Sequence, residues 1–304
     1  MIVFMGTPEF SVPILEMLIK ENYPVGLVVT QPDRVVGRKK ELQKSPVKQL
    51  AESYGIEVFQ PEKLRLDYQY VIDKKPSLIV TASYGQILPK ALLDTIPAVN
   101  IHGSLLPKYR GGAPIQYALF NGDKETGITL MEMAFKMDSG AMIEKRTIEI
   151  LDSDDYGTLS QKLSYIGRDL LKENIDKVLA KNYTAIPQNE DEVTFAFTLK
   201  YEDEALDFNK TVFWNHNRIR GLSPNVGAHF VYRNVLVKVF KSHKSDIMDL
   251  NPGEIRIIGK RLVIGCLDGG IELDLIQQAG KKLMPVRDYL NGQTLFENGG
   301  IING

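Results

Sequence analysis

An asparagine and a histidine, Asn100 and His102, stand two residues apart at the end of a short apolar run. In a β-strand, side chains at positions i and i+2 point to the same face, so both can reach one cleft. A carboxamide can donate hydrogen bonds to a developing oxyanion, and an imidazole can take or give a proton near neutral pH. The pair therefore suits acyl-type transfer, although a single strand-end histidine is more often structural.

A carboxylate that could join this pair is Asp138, in the segment M-D-S-G (137–140). Beside His102 it would fix the orientation of the imidazole and favour its protonated form. Asp before Ser-Gly is also common in an ordinary turn. Sequence separation does not show whether the two residues meet, so both interpretations stay open.

Basic side chains cluster in residues 31–48, which hold six Lys and Arg against two Asp and Glu. The segment has no obvious structure and is long enough to favour a functional or mobile loop. Its cations would suit phosphate groups, and a solvated surface is the other interpretation. The candidate phosphate-binding cations of this segment are Arg34, Arg38, Lys39 and Lys40.

The whole chain has a net charge of −1, which argues against a generally basic nucleic-acid binder.

Apolar runs that read as strands alternate with helical patterns over the first two thirds of the chain. We expect strands at 1–5, 25–30, 78–82, 98–101, 126–133 and 141–150, and helices at 9–20, 46–54 and 157–179. Thr7-Pro8 and Ser45 are the expected caps of the first two helices. This alternation predicts an α/β fold with a Rossmann-like, doubly wound, mostly parallel sheet. Ligands bind such sheets at the carboxyl ends of the strands, where His102 is expected.

The pattern changes at about residue 207. A helical segment at 212–219 precedes strand-like runs at 228–231, 235–240, 253–258, 261–264 and 271–276, separated by turn signals. These runs predict a small OB-like β-barrel. The expected organisation is a first domain at 1–189, a linker at 190–206 and a barrel domain at 207–304.

The bulk composition limits the class of protein. The single cysteine, Cys266, excludes an internal disulfide framework and a cysteine-rich metal site, and we expect it to be buried in a strand. No apolar run reaches the length of a membrane helix, and the first residues do not form a secretory signal. We expect a cytoplasmic monomer without a metal.

Taken jointly and in order, several motifs resemble the 10-formyltetrahydrofolate-dependent formyltransferase family over nearly the whole chain. They are G-T-P-E-F (6–10), Q-P-D-R (31–34), S-P-V-K (45–48), Y-G-Q-I-L-P (84–89), N-I-H-G-S-L-L-P (100–107), R-G-G-A-P-I-Q (110–116), M-D-S-G (137–140) and A-G-K-K (279–282). The resemblance implies formyl transfer from 10-formyltetrahydrofolate without a metal. It places Asn100, His102 and Asp138 on the family's catalytic residues.

The resemblance also implies where the substrates bind. The folate-contacting segment would be Ser104, Leu105, Leu106 and Pro107, and the wall of the pteridine pocket would be Tyr84, Gly85, Gln86, Ile87 and Leu88. The 31–48 loop matches a loop that binds the acceptor end of initiator tRNA in the branch of the family that formylates the methionine α-amino group for translation initiation. The implied tRNA contacts are Arg34, Arg38, Lys39, Lys40 and Lys200, with further RNA contacts from the barrel domain.

Two other functions stay open from the sequence. One is a formyltransferase that acts on an amino sugar or a nucleotide amine, and the other is a non-catalytic RNA-binding protein. The basic loop and A-G-K-K argue against the first, and the intact Asn100, His102 and Asp138 argue against the second. The chain departs from the family pattern at 223–226, at Tyr201 and at Phe208, where the family often has N-P-W-P, lysine and tryptophan.

Overall fold

The computed structural model describes residues 1–36, 41–292 and 295–302. Arg38, Lys39 and Lys40 of the expected tRNA loop therefore lie outside the described residues. The chain divides into two compact units. The first comprises residues 1–114, 125–149 and 160–197, and the second comprises 115–124, 150–159 and 198–304. The domain boundaries expected from the sequence stay a prediction.

The first unit is built on a seven-stranded sheet with the order β5-β2-β1-β6-β7-β8-β9. Its strands are β1 (Ile2–Gly6), β2 (Val25–Val29), β5 (Val58–Phe59), β6 (Leu78–Ala82), β7 (Ala98–His102), β8 (Glu125–Glu132) and β9 (Met142–Glu149), and β3 (Arg34–Val36) pairs separately with β4 (Glu41–Gln43). The first five strands of the sheet run parallel, and β8 and β9 run antiparallel to their neighbours. The helices of this unit are α1 (Val12–Lys20), α2 (Pro46–Ser53), α3 (Leu64–Asp67), α4 (Gln69–Asp73), α5 (Lys90–Thr95) and, from residue 160 on, α7 (Tyr156–Leu179), whereas α6 (Pro114–Asn121) belongs to the second unit from residue 115 on. The Rossmann-like, mostly parallel sheet is thus confirmed.

The order of the strands indicates where a ligand site would lie. Strand β2 lies on one side of β1 and β6 lies on the other, so the sheet has a topological switch point at β1. A crevice opens at the carboxyl ends of strands at such a point. Every residue of β1 and β6 is buried, as expected for strands covered on both faces.

The first helix begins later than the sequence suggested. Residues 9–11 form a 3-10 turn, and the α-helix starts at Val12. Pro13 has no N–H to donate to the carbonyl of residue 9, so the α-helical ladder cannot extend back to Glu9. The expected cap at Thr7 is wrong, because the Thr7 hydroxyl donates instead to the Tyr84 carbonyl, 3.0 Å away.

The second helix follows its prediction, since Ser45 Oγ accepts a hydrogen bond from the backbone of Lys48 at 3.1 Å. The expectation of an unstructured 31–48 loop needs correction, because β3 and β4 pair as a small antiparallel sheet. Val35 and Leu42, which pair in it, are 60% and 66% exposed. Three-residue strands with exposed apolar side chains lack the alternation that marks a strand in sequence.

The second unit contains a separate antiparallel sheet with the order β10-β11-β14-β13-β12, and β15 pairs with β14. Its elements are α8 (Val212–Leu222), β10 (Ala228–Tyr232), β11 (Val235–Lys244), β12 (Ile255–Ile258), β13 (Arg261–Cys266), β14 (Gly269–Gln278), β15 (Met284–Pro285) and α9 (Val286–Tyr289). Phe208 packs in the core of this unit with its ring 5.5 Å from that of Phe230. Cys266 is buried at the end of β13, as predicted. No helix among the described residues is long and apolar enough to cross a membrane.

Candidate active site

Asn100 and His102 lie on β7 at its carboxyl end, with His102 as the last residue of the strand. Asn100 pairs with Thr81 of β6, and the Thr81 hydroxyl donates to Asn100 Oδ1 at 2.8 Å. Because Oδ1 is engaged, the donors of the amide are the two hydrogens on Nδ2. Thr81 therefore orients the carboxamide so that it can donate to an oxyanion. No sequence motif had indicated this residue.

The His102 imidazole is held between a backbone carbonyl and a carboxylate. Its Nε2 lies 2.9 Å from the Tyr109 carbonyl, and its side chain is only 5% exposed. A carbonyl can only accept, so Nε2 carries the hydrogen in this contact and Nδ1 is the basic nitrogen. Nδ1 lies 3.8 Å from Asp138 Oδ2. That distance is too long for a hydrogen bond, so the interaction with Asp138 is electrostatic.

Asp138 is fixed by contacts on both its side chain and its backbone. Oδ2 accepts a hydrogen bond from the backbone of Gly111 at 2.9 Å, and the carbonyl accepts one from Gln188 Nε2 at 2.7 Å. Its φ of +47° lies in the left-handed region, which Asp tolerates better than most side chains but at some cost. The structure thus brings Asp138 beside His102, a contact that the sequence left open.

A buried arginine connects the loops around the site. Arg110 is fully buried, and its Nε donates to Gln188 Oε1 at 2.9 Å while a terminal nitrogen contacts Glu190 at 2.7 Å. The hydrogen bonds from Arg110 and Lys136 lower the pKa of the Glu190 carboxyl. Gln188 also donates to the Gly140 carbonyl at 2.8 Å. Sequence reasoning missed Gln188, because its partners are distant along the chain.

The expected folate segment, 104–107, has a tightly fixed backbone. Thr129 Oγ1 donates to the Ser104 carbonyl at 2.7 Å and accepts from the Leu106 backbone at 3.1 Å. Lys145 Nζ donates to the Leu106 carbonyl at 3.1 Å. Ser104 and Leu106 are buried, as is Pro107, and Leu105 is partly exposed. The segment can therefore hold a preformed shape at the end of β7.

The expected pteridine wall, 84–88, divides into buried and exposed positions. Tyr84 and Leu88 belong to the hydrophobic core, and burial raises the pKa of the Tyr84 hydroxyl. The Gln86 side chain accepts from the Leu64 backbone at 2.8 Å and so caps that segment. Gly85, with φ of +89°, is exposed, and Ile87 is 74% exposed. These two residues offer the surface that a flat heteroaromatic ring could contact.

The described part of the basic loop is anchored by ion pairs. Lys48 Nζ contacts Asp33 at 2.6 Å, with both side chains under 15% exposed, and Lys44 contacts Glu52 at 2.7 Å near the surface. Arg34, at the start of β3, is exposed to solvent. It has no carboxylate partner among the described residues. Lys200 is also exposed, in the second unit.

One group of side chains in the second unit has metal-ligand chemistry. His243, Glu272 and Asp274 bring their ligand atoms within 4.8 Å of one another. Arg261 already contacts Glu272 at 2.6 Å and neutralises that carboxylate. The expected absence of a metal stays a prediction.

Comparisons with known proteins place the chain in a family. The sequence model described as "Formyl transferase" matches residues 1–175, and the model described as "Formyl transferase, C-terminal domain" matches residues 198–294. The methionyl-tRNA formyltransferase of Lactiplantibacillus plantarum is 49% identical over 300 residues, which cover 96% of this chain and 95% of the relative. That of Enterococcus faecalis is 45% identical over 298 residues, with the same two coverages.

Solved structures with low sequence identity share the fold. An N-formyltransferase from Helicobacter canadensis, in complex with folinic acid and dTDP-3-aminofucose, superposes with a TM-score of 0.69 at 21% identity and covers 90% of this chain and 97% of its own. A variant of HypX from Aquifex aeolicus has a TM-score of 0.69 at 16% identity and covers 95% of this chain and 47% of its own. The family expected from the motifs is confirmed by the sequence matches, and the chain belongs to the methionyl-tRNA formyltransferases.

Proposed function

We propose that the protein transfers the formyl group of 10-formyltetrahydrofolate to the α-amino group of methionine on initiator tRNA, for translation initiation. The observation that carries this proposal is the grouping of Asn100, His102 and Asp138 at the carboxyl end of β7. The names of the relatives that are 44–49% identical support the acceptor. We also infer that the protein acts as a cytoplasmic monomer.

The chemistry needs an oxyanion donor and a proton acceptor, and the site offers both. Asn100 Nδ2 would donate to the formyl oxygen as the amine nitrogen bonds to the formyl carbon. A donor of this kind typically contributes about 10²- to 10³-fold in rate. His102 Nδ1 would take the proton that the amine loses and return it to the folate nitrogen as the carbon–nitrogen bond to the donor breaks. Asp138, 3.8 Å away, would stabilise the imidazolium between these steps.

The residues at the folate site suit a flat ring with polar edges. Exposed Ile87 and the exposed backbone of Gly85 provide an apolar contact and a close approach without a side chain. The fixed backbone of 104–107 would provide a preformed surface at the other side. The folate derivative supplies the formyl group and the leaving nitrogen, and the protein supplies orientation and proton transfer.

The acceptor tRNA would bind through the basic loop and the second unit. Arg34, Lys200 and the three cations at 38–40 would meet phosphates, so tRNA binding should weaken as salt rises. The proposed pteridine contacts involve no charged side chain, so folate binding should respond less to salt. Equal salt sensitivity of both ligands would contradict this division.

The test uses purified protein, 10-formyltetrahydrofolate and methionine-charged initiator tRNA, with formylmethionine measured after ester hydrolysis. We expect rapid formylation that is lost in Asn100→Ala and His102→Ala. An amino-sugar nucleotide serves as the competing acceptor in parallel reactions. Formylation of the sugar in preference to the tRNA would overturn the proposed acceptor, and near-normal turnover of both alanine variants would overturn the site.

A further inference from the structure

Two exposed phenyl rings lie together on a segment whose backbone contacts the loop at the candidate site. Phe195 and Phe197 have ring centroids 5.4 Å apart and planes that differ by only 2°. Their side chains are 43% and 58% exposed, whereas Ala196 between them is fully buried. In extended backbone, alternate residues share a face, so both rings are directed to one side while Ala196 packs inward. We call Phe195 and Phe197 the phenyl pair.

Backbone contacts connect the segment of the phenyl pair to residues 109–113, which in turn bond to His102 and Asp138. The Arg110 backbone donates to the Thr194 carbonyl at 2.9 Å, and the Ala113 backbone donates to the Ala196 carbonyl at 3.0 Å. The same 109–113 segment accepts from His102 through the Tyr109 carbonyl and donates to Asp138 through the Gly111 backbone. The segment that carries the phenyl pair therefore shares its backbone support with the candidate active site.

We propose that the phenyl pair is the stacking surface for the terminal adenine of the acceptor tRNA. This inference rests on the proposed function, in which methionine is esterified to the ribose of that nucleotide. When the methionine amine lies at His102, only the α-carbon, the ester and one ribose separate it from the adenine, which is free of base pairing. Unpaired bases bind to exposed aromatic side chains through their flat faces. A base on Phe197, the more exposed ring, would extend the existing parallel stack.

Other occupants fit the geometry less well. The methionine side chain is flexible and unbranched, and such a group is usually bound in an enclosed apolar cleft rather than on exposed parallel rings. Aromatic rings prefer offset stacking or edge contacts with other flat groups. The phenyl pair offers a flat face of this kind, and the backbone contacts of its segment with residues 110–113 favour a nucleobase, the flat group of the acceptor nearest to the reacting amine.

The experiment combines a variant with a modified substrate. Initiator tRNA is charged with methionine in two forms, one native and one whose terminal nucleotide lacks the adenine base. Both are formylated by the wild-type enzyme and by a Phe195→Leu, Phe197→Leu double variant, which keeps apolar bulk and removes the aromatic faces. The control is Phe213→Leu, the same change at a position in the second unit that is 55% exposed. The measured quantity is the ratio of kcat/KM for native tRNA to that for base-free tRNA.

We expect the ratio to be about 10-fold or more in the wild type and in Phe213→Leu, and close to one in the double variant. The KM for 10-formyltetrahydrofolate is measured in each case and should stay unchanged, which shows that the double variant is folded. A ratio that is the same in the wild type and the double variant would overturn the stacking surface. If the double variant loses activity equally on both tRNAs, the rings bind another part of the substrate, such as the methionine side chain, and the proposal fails. Absence of formylation of native tRNA by the wild type would instead overturn the proposed function.

Discussion

We predict that Gln188 affects the rate of formyl transfer, although its side chain bonds to other protein groups rather than to a substrate. Its amide nitrogen donates to the carbonyls of Asp138 and Gly140, and its amide oxygen accepts from Arg110. The side chain is 8% exposed, so water cannot replace these bonds easily. In Gln188→Leu, three buried polar groups lose their partner while the volume of the side chain is largely kept.

The size of the effect follows from these three contacts. A neutral hydrogen bond contributes about 0.5–1.5 kcal/mol and one to a charged group about 1.5–3 kcal/mol, so we expect a stability loss of about 2–4 kcal/mol after partial relaxation. Asp138 also holds a left-handed backbone conformation, which costs of order 1–3 kcal/mol and is supported by the Gln188 bond. If about 1.4–2.7 kcal/mol of positioning is lost in the transition state, kcat falls roughly 10- to 100-fold.

The matched control is Glu190→Gln. Glu190 also contacts Arg110, but it is 61% exposed, and it contacts the Asp138 loop through an ion pair with the exposed Lys136 rather than through Asp138 itself. We therefore expect Glu190→Gln to lose little stability and little kcat. Gln188→Glu is the second comparison, because it keeps an acceptor for Arg110 but removes the donor to Asp138.

The assay is steady-state formylation with separate KM values for the two substrates, together with urea unfolding. We expect kcat to fall in Gln188→Leu and Gln188→Glu while both KM values stay within a few-fold of the wild type. If Gln188→Leu unfolds under assay conditions, Gln188→Glu carries the test alone. A kcat for Gln188→Glu equal to that of Glu190→Gln would refute the reasoning that the Asp138 carbonyl contact matters for catalysis.

Three further outcomes follow from contacts elsewhere. Thr81→Val removes the hydroxyl that orients Asn100, and kcat should fall about 5- to 10-fold with unchanged KM values, a loss of about 1 kcal/mol; an unchanged kcat would contradict that role. Lys48→Met breaks the nearly buried anchor of the basic loop and should raise the KM for tRNA several-fold, whereas Lys44→Met, which breaks an exposed pair of the same charge, should change it less. Burial lowers the pKa of His229 below its usual 6.5, so the stability this group contributes is complete above pH 6.5 and is lost as the pH falls toward the lower folded pKa. Urea unfolding from pH 7.5 to 5.0 should show a smaller loss for His229→Gln, and equal losses would contradict the assignment.

The sequence predicted the central sheet well because its signal is local. Strands β1 and β6 are continuous apolar runs buried on both faces, and such runs are visible without knowledge of their neighbours. The spacing of Asn100 and His102 likewise follows from the geometry of a single strand. The 3-10 turn before α1 was also readable in principle, since Pro13 stands in the sequence and its missing N–H fixes where the α-helix can begin.

Other features depend on partners that only the fold supplies. The β3–β4 pair has exposed apolar residues and three-residue strands, so burial leaves no period in its sequence. The approach of Asp138 to His102 depends on Gly111, because the Gly111 backbone N–H donates a hydrogen bond to the Asp138 carboxylate. Neither residue type nor spacing encodes that meeting, and only the family resemblance suggested it.

The segment from Gln188 to Phe197 shows why a polar stretch without periodicity is weak evidence for a spacer. Its hydrogen-bonding groups are satisfied one by one by distant loops, at Arg110, Ala113 and Asp138, rather than by a repeating neighbour in a helix or sheet. Such bonding leaves no repeat of 3.6 or 2 residues in the sequence, because the bonding partners lie in different directions from the segment. The same irregularity lets one segment contact Asp138 through the Gln188 amide and also expose the phenyl pair. Substitutions here should therefore change catalysis and tRNA use, whereas substitutions in a true spacer would change neither.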